Sequence, residues 1–216
     1  MGGIDLTQVL TQFIVLIVSL SVHEAAHAGA ADRLGDSTAR LLGRLTINPV
    51  VHVDPIGTIL FPLISIFTGL PLIGWAKPVP VNSSRLHPHW RQKFMVIAAA
   101  GPASNIVLAL LASMALLVIG PVEASGDFLA SPIAERFEYF LETAVFVNVL
   151  LAVFNMVPIP PLDGGNVLAG MVTGSMADTF DRLRPYGFVI LYVLMLTGIL
   201  TDIITPPARL LLGLLL

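Results

Sequence analysis

Residues 6–31, LTQVLTQFIVLIVSLSVHEAAHAGAA, decide how this chain is read. At roughly 1.5 Å per helical residue the stretch is long enough to cross the ~30 Å hydrocarbon layer of a bilayer. Its only ionisable side chains are His23, Glu24 and His27. Residues at i and i+4 share one face of a helix, so the two imidazoles can grip one ion from the same side. Glu24 sits one step round and can reach a water at that ion without ligating it. Ionisable groups in a bilayer segment are expensive and turn towards protein partners. The plain alternative is a polar contact between two helices.

Composition supports the membrane reading. The 216 residues are 56% hydrophobic and only 12% charged, with a mean hydropathy of +0.88, whereas soluble domains carry about a quarter charged residues. The net charge of −3 and the absence of any Lys/Arg run exclude a nucleic-acid partner. With no cysteine there is no disulfide, thiolate site or cysteine nucleophile. The first five residues lack the basic start of a cleavable signal, so the first apolar segment is expected to be retained. Apolar segments fall at about 6–31, 56–75, 94–119, 137–157 and 186–200, in one domain spanning residues 1–216. The tail 210–216 is too short to span and suits a surface helix. The expectation is an all-α polytopic membrane protein.

Charge sets the orientation. Residues 32–93 hold Arg33, Arg40, Arg44, Lys77, Arg85, Arg91 and Lys93; residues 121–135 hold Glu123, Asp127 and Glu135 but no cation. The positive-inside rule makes the first stretch cytoplasmic, the second external, and the N-terminus external. This works only if segment 56–75 dips in and returns. Its Pro62, Gly69, Pro71 and Gly74 suit a re-entrant element buried against protein. Arg44-Leu-Thr-Ile-Asn48 alternates like a short strand, and Pro78 and Pro80 force Lys77–Asn82 to be extended.

A third ligand is needed, because catalytic zinc generally has three protein ligands and an open position. Asp163 follows the proline-rich run Val157-Pro-Ile-Pro-Pro-Leu at the exit of segment 137–157. It reads equally as a metal ligand or as a cap for the helix that follows. Topology favours the ligand, since both motifs then lie towards the cytoplasmic face. His52 lines the site or simply bonds its own loop, and His87 and His89, beside Trp90, suit the membrane interface.

Taken together, His23-Glu-Ala-Ala-His27, Gly43-Arg-Leu-Thr-Ile-Asn-Pro49, Gly74-Trp-Ala-Lys-Pro-Val-Pro-Val-Asn82, Ala100-Gly-Pro-Ala-Ser-Asn105 and Pro158-Ile-Pro-Pro-Leu-Asp-Gly-Gly165 resemble the site-2 protease family of intramembrane zinc metalloproteases. The resemblance covers most of the chain. It implies a three-helix catalytic core, additional helices and a small re-entrant β element. It also implies one Zn2+ per chain held by His23, His27 and Asp163, with Glu24 as general base. Asn155 becomes a contact for substrate or developing oxyanion, and Asn105 a substrate-positioning residue or else a packing residue beside Gly101. Many members carry PDZ or CBS domains, so this chain resembles a minimal form. The implied reaction is hydrolysis of peptide bonds within or near the membrane helices of single-span proteins, in regulated intramembrane proteolysis at the cell membrane. A metal-ion transporter using the same ligands is the main rival, but it does not explain why Glu24 follows His23. A membrane iron oxygenase and an inactive scaffold are weaker readings.

Overall fold

The computed structural model describes residues 6–68, 75–123 and 132–216. Helix α1 spans Leu6–Arg33 and is followed by the single turn α2, Thr38–Leu41. A wide turn over Pro55–Leu60 leads into α3, Phe61–Thr68. The long helices α4, Trp90–Glu123, and α5, Pro132–Asn155, come next. Four shorter helices close the chain: α6, Asp163–Met171; α7, Ser175–Leu183; α8, Gly187–Leu196; and α9, Ile199–Leu215. Among the described residues three helices are long and apolar enough to cross a membrane, those of 6–33, 90–119 and 134–155.

These three helices are patterned inside-out, as a lipid solvent requires. On α1, Leu6, Leu10, Ile14 and Val18 are exposed at four-residue spacing, while Ser19, Ser21, His23, Glu24 and His27 are buried. On α4, Leu110, Leu111, Met114, Leu117 and Val118 face outward and Asn105, Ala109, Ala112 and Ser113 face inward. With lipid outside there is no hydrophobic gain in bringing helices together. Small inward residues allow close approach, and polar groups bond across the gap. Accordingly α4 packs between α1 and α5, and the centre of the α4–α5 seam is Ala109, Ala112, Leu141, Val145 and Val149.

The two ends of segment 56–75 meet. The Trp75 N–H donates to the Gly57 carbonyl at 3.1 Å, and the Thr58 hydroxyl donates to the Trp75 carbonyl at 2.8 Å. The helical part, residues 55–68, reaches roughly 20 Å, short of the ~30 Å of a full crossing. The Gly69, Pro71 and Gly74 used in the sequence argument lie outside the described residues.

Three expectations are corrected. No β-strand forms among the described residues. Around Arg44–Asn48 the backbone donors are spent locally: Arg44 N–H on the Ala39 carbonyl, Asn48 N–H on Thr46 Oγ1, and Val50 N–H on Asn48 Oδ1. Lys77–Asn82 is extended but unpaired, because Val79 N–H goes to Glu24 and Asn82 N–H to Asp36. The two pieces are tied instead by the Arg44 guanidinium on the Lys77 carbonyl and by Lys77 N–H on the His52 carbonyl. Segment 186–200 is not a straight span: α8 ends after ten residues and the chain bends by 80° into α9. Nor is the tail a surface helix. Leu211, Leu212 and Leu215 pack on the α4–α5 seam, Ala208 is buried in it, and Ser113 donates to the Leu215 carbonyl at 2.6 Å.

Candidate metal centre

His23 and His27 project from one face of α1 towards α4, and their Nε2 atoms lie 3.0 Å apart. Asp163, the first residue of α6, brings Oδ2 to 3.1 Å from His23 Nε2 and 3.3 Å from His27 Nε2. The N-cap position of that helix is taken by Leu162, not by Asp163. Two turns hold Asp163 in place: Leu162 N–H reaches the Ile159 carbonyl, and Gly164 and Gly165 press against the backbone of residues 156–160, where a side chain would collide. Gly101 plays the same part on α4, since a Cβ there would overlap both imidazole rings. His23, Glu24 and His27 are all buried.

The far nitrogens fix what the near ones do. His27 Nδ1 lies 2.7 Å from the Ile97 carbonyl, which can only accept, so Nδ1 carries the proton and Nε2 presents a lone pair. His23 Nδ1 lies 2.6 Å from Asn105 Oδ1 and donates in the same way. With both imidazoles neutral, two nitrogen lone pairs and a carboxylate oxygen converge on one point, a donor set that a cation at the centre would satisfy. A tetrahedral zinc with ~2.0–2.1 Å bonds sets its ligand atoms roughly 3.3 Å apart; the observed edges run from 3.0 to 3.3 Å. The donor set suits a divalent ion of the zinc type. Among the described residues it is the one group of three such side chains so close together.

A cavity of about 430 Å3 opens beside this triad, lined by Glu24, Trp75, Val79, Phe94, Asn155 and Asn166 among others. Glu24 Oε2 accepts the Val79 N–H at 3.0 Å, which aims the carboxylate along the extended segment. That segment is anchored by Asp36, fully buried, whose oxygens accept Asn82 N–H and the hydroxyl and N–H of Thr38. Burial pushes the Asp36 carboxyl up, but these three bonds and the charge of Arg85 outweigh it and hold the group below the usual aspartate range. Asn155 lines the cavity with one amide hydrogen already on the Leu151 carbonyl.

Two expectations of substrate contact change. Asn105 is wholly buried behind His23 and bonds to its ring, away from the cavity lining. His52 is buried in its own loop, Nε2 at 2.7 Å from the Thr46 carbonyl, and does not line the cavity either. Asn148, a lone polar side chain in the apolar run of α5, drew no notice in the sequence, yet it receives the Asn105 amide at 2.8 Å. Its isolation among apolar neighbours is the signal that would have found it.

The model of peptidase family M50, the site-2 protease family, matches residues 11–198. The chain belongs to peptidase family M50. This M50 chain is 35% identical over 193 residues to "Putative zinc metalloprotease YwhC" of Bacillus subtilis (strain 168), covering 89% of its own length and 83% of the relative's. It is 32% identical over 184 residues to "Putative zinc metalloprotease Rip2" of Mycolicibacterium smegmatis, and 29% identical over 183 residues to the Rip2 of Mycobacterium tuberculosis (strain H37Rv). It spans 64% of the length of each of those Rip2 proteins. No solved structure matches it. The M50 chain is a multi-pass, membrane-associated metalloprotease whose family implies a zinc cofactor.

Proposed function

We propose that the M50 chain hydrolyses peptide bonds inside the bilayer, in single-span membrane proteins, from a site open towards the cytoplasm. One observation carries this reading: His23, His27 and Asp163 converge in the lining of a cavity that Glu24 also lines. His23, His27 and Asp163 would hold one zinc ion, which when bound supplies a Lewis acid for the scissile carbonyl and acidifies a water. Glu24 takes the proton of the attacking water and returns it to the leaving amine. The Val79 N–H keeps that carboxylate turned into the cavity. Asn155 offers its remaining amide hydrogen to the substrate carbonyl or to the charge that develops on it.

A substrate helix hides its carbonyls in its own hydrogen bonds and must unwind before attack. The extended Lys77–Asn82 segment along the cavity gives the unwound stretch a surface of matching shape. The cation-rich stretch from the end of α1 to the start of α4, which holds seven Lys and Arg from Arg33 to Lys93, supports a cytoplasmic position for the site.

The test is cleavage of a single-span substrate by the purified chain in proteoliposomes. Cleavage is expected to stop with a zinc chelator, to return with added zinc, and to be absent in His23→Ala. Zinc flux into the liposomes without any cleavage would overturn the protease reading in favour of transport.

A further inference from the structure

We propose that Asn105 and Asn148 form an amide relay that sets the tautomer of His23, so that α5, which carries no ligand of its own, governs metal affinity. The inference rests on the metal reading above and concerns positioning residues, since neither asparagine belongs to the three-residue ligand group or lines the cavity.

The direction of the relay is fixed at its far end. Asn148 Nδ2 donates to the Ala144 carbonyl at 2.9 Å, and a backbone carbonyl can only accept. The Asn148 oxygen must therefore face the other way, where it receives Asn105 Nδ2 at 2.8 Å. The second Asn105 amide hydrogen points to the Ser19 carbonyl, at 3.4 Å, one turn before His23. Asn105 Oδ1 is then the only atom left to meet His23 Nδ1, at 2.6 Å, and it compels that nitrogen to carry the proton. The lone pair of Nε2 is thereby directed at His27 and Asp163. Every polar atom of the fully buried Asn105 amide is used.

The chemistry explains why a pair is needed. A side-chain amide has two nearly isosteric ends. Turned over, Asn105 would present N–H to His23 Nδ1, leave that nitrogen as acceptor and move the imidazole proton to Nε2, where it blocks a cation. His27 has no such ambiguity, because its partner is the Ile97 backbone carbonyl. In the bilayer no bulk water competes for these groups, so the far partner decides which end of the amide faces the ring. Outer partners of ligating histidines typically change metal affinity by about 10- to 100-fold.

The test measures the zinc dissociation constant of the detergent-solubilised full chain by competition with a chromophoric chelator, alongside the melting temperature of the metal-free form. Asn105→Leu is expected to weaken zinc binding about 10- to 100-fold, and Asn148→Leu about tenfold. The double variant should be no weaker than Asn105→Leu alone, because the two residues act through one bond. Asn148→Asp, which still offers an acceptor to Asn105, should bind as wild type does. Asn105→Asp presents an oxygen to His23 from either end, so in that background Asn148→Leu should leave affinity unchanged. Asn148→Ala carries the same comparisons if the leucine variant fails to fold.

Equal losses from Asn148→Leu in both backgrounds, or lower melting temperatures with unchanged affinity, would overturn the relay. If wild type shows no zinc binding that His23→Ala removes, the relay falls together with the metal reading. If wild type binds and the asparagine variants bind equally, the relay alone falls.

Discussion

The proposed ligands His23, His27 and Asp163 converge only because other residues settle where their atoms point. Gly101 is one of these. Its missing side chain lets α4 lie against both imidazoles, and alanine there meets ring atoms backed by rigid helix. Gly101→Ala should cost about 1–3 kcal/mol of stability through overpacking. Bound zinc per chain, measured on the purified variant, should fall with it because the rings must shift. Glu24→Gln makes the complementary prediction. The amide keeps an oxygen for the Val79 N–H but cannot take a proton. Cleavage should drop by at least 10²–10⁴-fold, the usual range for losing a general base, while zinc content stays at the wild-type level. A variant that loses both zinc and activity would assign Glu24 to the ligand shell instead.

At the scale of elements, the extended segment over the cavity depends on Asp36 in the turn after α1. A carboxylate held below its ordinary pKa stabilises the fold above the unfolded value, near 4. That contribution is lost as the pH falls through the lower folded value. Asp36→Asn should therefore lower the melting temperature of the solubilised chain by a constant amount at neutral pH. The gap to wild type should begin to narrow as the pH falls below about 4. Three bonds to a buried charge are weakened, each worth about 1.5–3 kcal/mol while the charge is present. A gap that instead widens towards low pH would contradict the depressed carboxyl.

For the whole molecule, the excursion of residues 55–75 decides which side each connection occupies. Because Trp75 returns to Gly57, the loop after α1 and the approach to α4 should share one side of the membrane. The chain has no cysteine, so single cysteines report cleanly. Leu42→Cys and Ser83→Cys, both exposed, should react with an impermeant maleimide from one side, the cytoplasmic. Arg136→Cys, at the start of α5, should react from the other. Labelling of Leu42→Cys and Ser83→Cys from opposite sides would make 56–75 a true crossing.

Much of this was legible in the linear chain. The three crossing helices followed from runs of apolar residues: the segment 94–119 falls inside α4, and 137–157 overlaps α5 but overruns its end at Asn155. The grouping of His23, His27 and Asp163 was anticipated because helix periodicity and the charge bias each bear on it independently. Periodicity is a local property, written in neighbouring residues. Three matters were decided elsewhere. The strand at Arg44–Asn48 was lost to side chains and turns that took its backbone donors, which no alternation pattern records. The tail became part of the bundle because α4 and α5 leave an apolar seam that α9 fills. Asp163 could equally have capped α6, and only the arrival of α1 opposite it turned a helix-start aspartate towards two imidazoles. The sequence by itself determined the membrane class, the three long helices and the set of candidate ligand side chains, because hydropathy and spacing act over a few residues. The protonation of those imidazoles was decided by tertiary structure, through Ile97, Asn105 and Asn148 on other helices, because a hydrogen bond depends on where distant chain segments meet.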